Sequence, residues 1–437
     1  MGMERRYEVD QAAGVGAVLI SLLIASFCNV ALGACQSEQK GSTSSVTTPR
    51  RTLAATANNS DGRAIFDVMA NGAVADGTTD DVEAFMQTWN KACKGSTAPA
   101  KMVIPKGTYL VGPVLFQGPC KSPPPLVIQV DGILKATTDI SEYASPEWFS
   151  FEHINGLFIT GNGIFDGQGT TLWKHNDCKL NPNCAPLPTS LKFNRVNNTI
   201  VEGITSLNSQ LFHTYVYGSN NFTFRNVNVS ADGESPNTDG IHLSTSTFVN
   251  VFNSVIGTGD DCVAIGQGTH NITVTNVTCG PGHGISVGSL GKYPTDKSVS
   301  GIFVKNCTLR NTMYGARIKT WSGRTGGEAT TIVYEDITID NVKNPIIIDQ
   351  DYGRSKQQQS KWKITDVHFK NFKGSSVTNA AVTIACSAAF PCDGVELKDI
   401  NLSYAGPKAK NPTVVSTCSN AKITHLGIQN PPACKPQ

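Results

Sequence analysis

The chain has 437 residues, enough for one large domain or two ordinary ones, with 16% charged residues, 41 glycines and 8% aromatics. That mixture excludes a coiled coil, a disordered chain or an ordinary helical enzyme, and suits a β-rich protein with many tight corners. A formal net charge of +2 provides no global field to recruit nucleic acid or a membrane surface, so an anionic partner must meet a few local cations.

Residues 1–33 read as a secretory signal. Arg5 and Arg6 give a basic start, an apolar run covers 12–27, and Ala31-Leu32-Gly33 offers small residues for cleavage. An uncleaved anchor is the competing reading, because the run approaches spanning length. Small residues, and no basic stop signal, close the run, so cleavage is expected, with no membrane contact afterwards. Residues 34–62, rich in Ser, Thr and Ala, are expected to form a flexible mature N-terminus. From residue 63 to 437 one domain is expected. Thr79 or Asp80 can cap a helix running to about Cys93, with Val82, Phe85, Met86 and Trp89 at helical spacing, placed to close one end of a β structure.

Beyond that helix the chain is a series of short β-branched runs broken by Gly, Asn and Asp. Aligning them exposes an imperfect repeat whose turn residues are Gly203, Asn226, Asn253, Asn276, Asn306, Asp336, Asp366 and Asp399. A period of this size marks a solenoid or a propeller. Each unit is too short for a propeller blade, and the spacing of a leucine-rich repeat is missing. Asn or Asp at one fixed position suits a corner that tolerates left-handed backbone. The expected fold is therefore all-β, a parallel β-helix with a short N-terminal capping helix.

Thirteen cysteines, twelve of them after the signal, point to an oxidising compartment. Five pairs close in sequence suggest bridges: Cys93–Cys120, Cys178–Cys184, Cys262–Cys279, Cys386–Cys392 and Cys418–Cys434. Connectivity stays open at this point, and Cys35 and Cys307 have no obvious partner. A zinc site is disfavoured, since no Cys or His pair stands at ligand spacing. Glycosylation sequons occur at Asn58, Asn197, Asn221, Asn228, Asn271, Asn276, Asn306 and Asn401, several of them where buried turns are expected.

Stacked coils turn matching offsets into spatial neighbours. Asp260 lies seven residues after Asn253, and His283 seven after Asn276; Asp261 adjoins the first, Asp239 belongs to the preceding coil, and Arg317 and Lys319 to the following one. Each has an ordinary explanation: Asp260-Asp261 as a turn or calcium ligands, His283 as structural, Arg317 and Lys319 as a solvated strand face. Their gathering on consecutive coils favours chemistry. Glycoside hydrolysis needs one carboxylic acid to protonate the leaving oxygen and one carboxylate to activate water. Crowded carboxylates keep at least one protonated in mild acid. One conflict is visible: neighbours on a strand face opposite ways, so a bend near 257–259 must re-aim Asp260 or Asp261.

Asn237-Thr238-Asp239, Gly259-Asp260-Asp261-Cys262, Gly282-His283-Gly284 and Arg317-Ile318-Lys319 resemble, in order, the four signature blocks of the polygalacturonases, glycoside hydrolase family 28. The stretches 279–293 and 344–350 resemble the plant branch, closest to its exopolygalacturonases. The resemblance implies a right-handed parallel β-helix and a secreted, cell-wall-located, inverting hydrolase of α-1,4-galacturonosyl linkages. It implies no metal or other cofactor, a galacturonan substrate and a monomer. Asp260 would be the general acid, Asp239 and Asp261 would activate water, and His283 would hold the acid's protonation state. Asn237 would support the site; Arg317, Lys319 and Tyr352 would bind the sugar; Cys262–Cys279 would brace it. Gly353 departs from the plant pattern, which has Cys there. The alternatives are endo-acting polygalacturonase, rhamnogalacturonan hydrolase and, from another class, a non-catalytic wall-binding β-helix.

Overall fold

The computed structural model describes residues 62–177, 181, 184–323, 325–353, 358–407 and 413–434. The signal, Asn58, nearly all of the 34–62 segment, Cys35 and Cys178 lie outside the described residues. Among the described residues, no helix is long and apolar enough to cross a membrane.

The period-two alternation of apolar and polar residues folds as it must, into strands that hide every second side chain. Thr247–Phe252 and His270–Thr275, for example, bury their two Val or Ile residues and leave their neighbours partly open. Each strand pairs in parallel with its equivalent one coil away, giving a 21-stranded sheet and an 11-stranded sheet. The larger sheet turns a corner: the long strand Val299–Arg310 pairs with both His270–Thr275 and Thr278–Cys279 of the coil before. The result is a right-handed parallel β-helix, as expected from the repeat and supported by structural relatives named below.

Identical offsets stack inside. Phe222, Val249, Ile272, Ile302, Ile332 and Val367 form one column by register, each completely buried. Burying such a side chain contributes about 1.5–3 kcal/mol, so the column alone outweighs any single surface feature. Aromatic rings fill the N-terminal coils, where Phe151 stacks on Phe193 at 4.9 Å.

Helix α1, Val82–Trp89, closes the N-terminal end: Trp89 stacks on Phe116 at 4.6 Å and Phe85 meets Tyr109 edge-on. Its cap differs from expectation. Asp81 occupies the cap position but points its carboxylate at the amides of Val74 and Ala75, while Asp80 accepts the amide of Val82 at 2.9 Å. A wider helical turn, Asn90–Gly95, carries Cys93 to its bridge with Cys120.

The corner residues Gly203, Asn226, Asn253, Asn276, Asn306, Asp336 and Asp399 all have positive φ, and Asn276 donates to Asn253 at 2.8 Å. One rung of the expected ladder is misplaced. Asp366 belongs to the neighbouring corner, beside Thr331, and the true partner of Asp336 is Asn371, 35 residues on. Both corners need left-handed backbone, so both attract the same residue types. The sequons at Asn276 and Asn306 also sit on the exterior of their corner and are exposed, not in buried turns.

Four expected bridges are present, Cys93–Cys120, Cys262–Cys279, Cys386–Cys392 and Cys418–Cys434. The expected partner of Cys184, Cys178, lies outside the described residues. Cys307 is unbridged and buried, and burial pushes its thiol up to about 11.

Candidate active site

Five consecutive strands of the smaller sheet carry the cleft: β1 (Ile241–Ser244), β2 (Val263–Ile265), β3 (Ile285–Leu290), β4 (Tyr314–Trp321) and β5 (Asn344–Tyr352). Asp239 precedes β1, Asp260 and Asp261 precede β2, and His283 precedes β3. Arg317 and Lys319 lie on β4, and Tyr352 ends β5. All eight sequence-derived candidates, Asn237 included, line one cavity of about 390 Å³.

The conflict over Asp260 and Asp261 is resolved by a break in the strand. Regular pairing stops at Gly257 and resumes at Val263, and the intervening chain presses against the preceding coil. At Gly259 a Cβ would stand 1.9 Å from the Ser235 carbonyl oxygen, so only glycine allows this approach. Within the break, Asp260 turns one carboxylate oxygen to the Asp261 amide at 2.9 Å. At Gly282, with φ of 140°, a Cβ would meet the Asp260 carbonyl at 2.6 Å. That tight passage delivers His283 Nδ1 to 2.8 Å from Asp260 Oδ1, the pairing inferred from the matching offsets.

Asp261 is 1% exposed and collects three donors. Arg317 Nη2 donates to Oδ1 at 2.6 Å, Ser286 Oγ donates to the same oxygen at 2.6 Å, and Lys319 Nζ donates to Oδ2 at 2.9 Å. Arg317 Nε in turn donates to Ser286 Oγ at 2.9 Å, and the guanidinium lies 4.1 Å from the Tyr314 ring centroid. Burial would raise the Asp261 carboxyl, but the two cations and the serine hold it well below the usual carboxylate range. Arg317 and Lys319, expected as outward sugar-binding cations, are thus internally paired on a catalytic candidate.

Asp239 is set the opposite way. Burial, and then the nearby Asp260 charge, push its carboxyl up to about 6, against the pull of His242. His283 moves upward too: burial opposes its charge, yet the hydrogen bond and charge of Asp260, with Asp261, prevail. One cleft therefore holds an ionised carboxylate, a carboxyl that retains its proton in mild acid, and an imidazole that favours the imidazolium. Such divergence among neighbours is the usual electrostatic basis of acid–base work.

Asp260, Asp261 and His283 offer ligand atoms within 4.8 Å of one another, a spacing a metal ion could use. Their electrons are committed elsewhere. Both Asp261 oxygens face fixed cations, and His283 Nδ1 is bound to Asp260, so the donor set does not fit a divalent ion.

Tyr352 lines the cavity with Lys319 Nζ 5.3 Å from its ring centroid. Gly353 has φ of 78°, and a Cβ there would lie 2.1 Å from the Trp321 ring. The Trp321 indole occupies the space that a cysteine side chain at this position would need. Sequence reasoning missed His242, whose Nδ1 donates to Asp239 Oδ2 at 2.7 Å while its ring stacks on Phe212 at 4.5 Å. Its place three residues after Asp239 was the available signal. Ser286 was missed as well; it pairs in register with Arg317.

The sequence profile of glycosyl hydrolases family 28 matches residues 93–430. The chain is 45% identical over 391 residues to an exopolygalacturonase of Arabidopsis thaliana, covering 88% of this chain and 90% of that one. It is 46% identical to an exopolygalacturonase of Platanus acerifolia, over 84% of this chain and 97% of the relative. In three dimensions it resembles the endo-xylogalacturonan hydrolase of Aspergillus tubingensis, with a TM-score of 0.73, 26% identity and coverage of 85% and 99%. An exopolygalacturonase of Thermotoga maritima shares the fold with a TM-score of 0.67 at 19% identity, over 83% of this chain and 91% of that one. On this agreement of profile, sequence and architecture, the chain belongs to glycosyl hydrolases family 28.

Proposed function

We propose that this protein hydrolyses α-1,4-galacturonosyl linkages of polygalacturonate from a chain end, with inversion, in the extracellular cell wall. The observation that carries the reading is the charge arrangement of the cleft: three aspartates on two successive coils in three different electrostatic settings, backed by two cations. The exopolygalacturonase relatives supply the substrate class and the four disulfides suit an exported chain.

Asp260 is the proton donor in this reading. It lines both the 390 Å³ cavity and a second, 520 Å³ cavity on the other side, whereas Asp239 and Asp261 line only the first. A donor to the bridging oxygen belongs at such a junction, with one sugar on either side. Asp261, held ionised, and Asp239 then take the proton of the attacking water. The raised Asp239 favours a second reading, in which Asp239 is the donor. An aryl galacturonide with a good leaving group separates them: the substitution that removes the donor keeps most activity on it, and the one that removes the base does not.

End-wise action is supported by the wall on one side of the first cavity. The insertion that contributes Asn176 packs Leu172, Cys184 and Leu187 against Leu211, Phe212 and Tyr215. A second turn, residues 291–296, lines the same cavity through Lys292, Tyr293 and Asp296. A time course on polygalacturonate tests the mode: galacturonate alone from the first minutes supports end-wise cleavage, and an early ladder of oligomers refutes it.

A further inference from the structure

Two groups of the cleft that favour positive charge flank one ring. Tyr314, the first residue of β4, carries the Arg317 guanidinium over its ring, with Cζ 4.1 Å from the centroid, and meets the His283 imidazole edge-to-face at 5.8 Å. Each of the two is tied to a different carboxylate: His283 to Asp260 at 2.8 Å, and Arg317 to Asp261 at 2.6 Å. Those carboxylates are neighbours in the chain, so the two pairs stay distinct only if their cations are held apart.

Backbone packing sets the place of the ring. At Gly284 a Cβ would stand 2.3 Å from the Tyr314 carbonyl oxygen, and at Gly315 one would stand 2.3 Å from the Pro345 carbonyl oxygen. Glycine at both positions lets three successive coils close on the start of β4. An aromatic face attracts a guanidinium, whereas a saturated side chain only fills space. Both contacts of Tyr314 are made by the ring, and neither uses the phenol hydroxyl.

Asp260 and Asp261 face His283 from the coil before, Arg317 and Tyr314 from the coil after, and Glu234 and Lys343 share its second cavity. The hydrogen bond and charge of Asp260, with Asp261, favour the imidazolium, and the Arg317 charge opposes it. An Arg317 released from the ring can lean toward Asp260 and compete with His283 for that carboxylate. The imidazolium then gives up its proton at lower pH.

We infer that Tyr314 is a positioning residue for both halves of the site, holding Arg317 on Asp261 and His283 on Asp260 and keeping the two cations apart. This rests on the galacturonan reading and deepens it: Tyr314 acts through these pairs and takes no part in bond cleavage.

The test compares Tyr314→Phe, Tyr314→Leu and Tyr314→Gln with the unmodified protein, by NMR titration of the His283 imidazole and by kcat–pH profiles on trigalacturonate. Leu and Gln should lower the His283 midpoint by about 0.5 pH unit or more. The basic limb of kcat, which reports proton loss from the Asp260–His283 pair, should follow it. The kcat of both should fall about tenfold, with KM changed less than about threefold. Phe, which keeps the ring, should restore all of these. An unmoved His283 midpoint in Leu and Gln, or a Phe variant as impaired as Leu, overturns the inference; two ringless variants keep it testable should one not fold. If the unmodified protein releases no galacturonate, the functional reading fails by itself, and Tyr314 is judged by the His283 titration alone.

Discussion

Lys319→Met probes the most loaded contact in the cleft. Asp261 is essentially sealed from water and is held ionised by two cations, at 2.6 Å from Arg317 and 2.9 Å from Lys319. Two unit charges about 4 Å apart attract by about 4 kcal/mol at an effective dielectric near 20. Arg317 and Ser286 remain in the variant and can close on the carboxylate, so about half of that, ~2 kcal/mol, is the expected net loss. The sign follows from the depressed Asp261 carboxyl. Its contribution to stability is complete above its unfolded value and disappears as pH falls through the folded one. Weakening the depression therefore lowers stability at neutral pH and brings acid unfolding to higher pH. Urea unfolding at pH 5 and 7 reads the loss. If Lys319 served the substrate carboxylate alone, the variant would raise KM on free galacturonate with stability unmoved. That outcome refutes the ion-pair reasoning.

Asp260→Asn should lower kcat on polygalacturonate by at least about 100-fold with an unchanged unfolding curve, because an amide cannot donate the proton; reducing-sugar release measures it. His242→Ala removes a donor to Asp239, so the Asp239 carboxyl should rise further and the acid limb should move to higher pH, while His242→Gln, which can keep a hydrogen bond, should move it less. An acid limb that stays put in His242→Ala removes that role. Activity should be greatest below neutral pH, and a maximum in alkaline buffer contradicts a carboxyl donor. Gly259→Ala should destabilise the fold by more than about 1 kcal/mol, since its methyl would strike the Ser235 carbonyl; a neutral result in thermal unfolding argues against the close coil contact.

The fold was legible because one backbone requirement recurs. A left-handed corner in every coil selects Asn, Asp or Gly, and those residues marked the coils from Gly203 to Asp399. The same rule misled at Asp366, where a second left-handed corner in that coil carries the same chemistry. Matching offsets placed His283 on Asp260 because the coils between them have equal length. What the sequence could not show is which charged neighbours pair. Arg317 and Lys319 look like a solvated face until the break at 258–262 aims Asp261 at them. Ser286 acts through register with Arg317 on the next coil, which leaves no local pattern, whereas His242, three residues after Asp239, did leave one.

The corner asparagines have a consequence beyond fixing the fold. Asn197, Asn221, Asn228, Asn271, Asn276, Asn306 and Asn401, every sequon asparagine among the described residues, lie on strands or corners of the larger sheet. The face that carries Asp239, Asp260 and Asp261 has none. Carbohydrate added anywhere along this series would coat the back and edges of the rod and leave a polymer free to slide onto its opposite side.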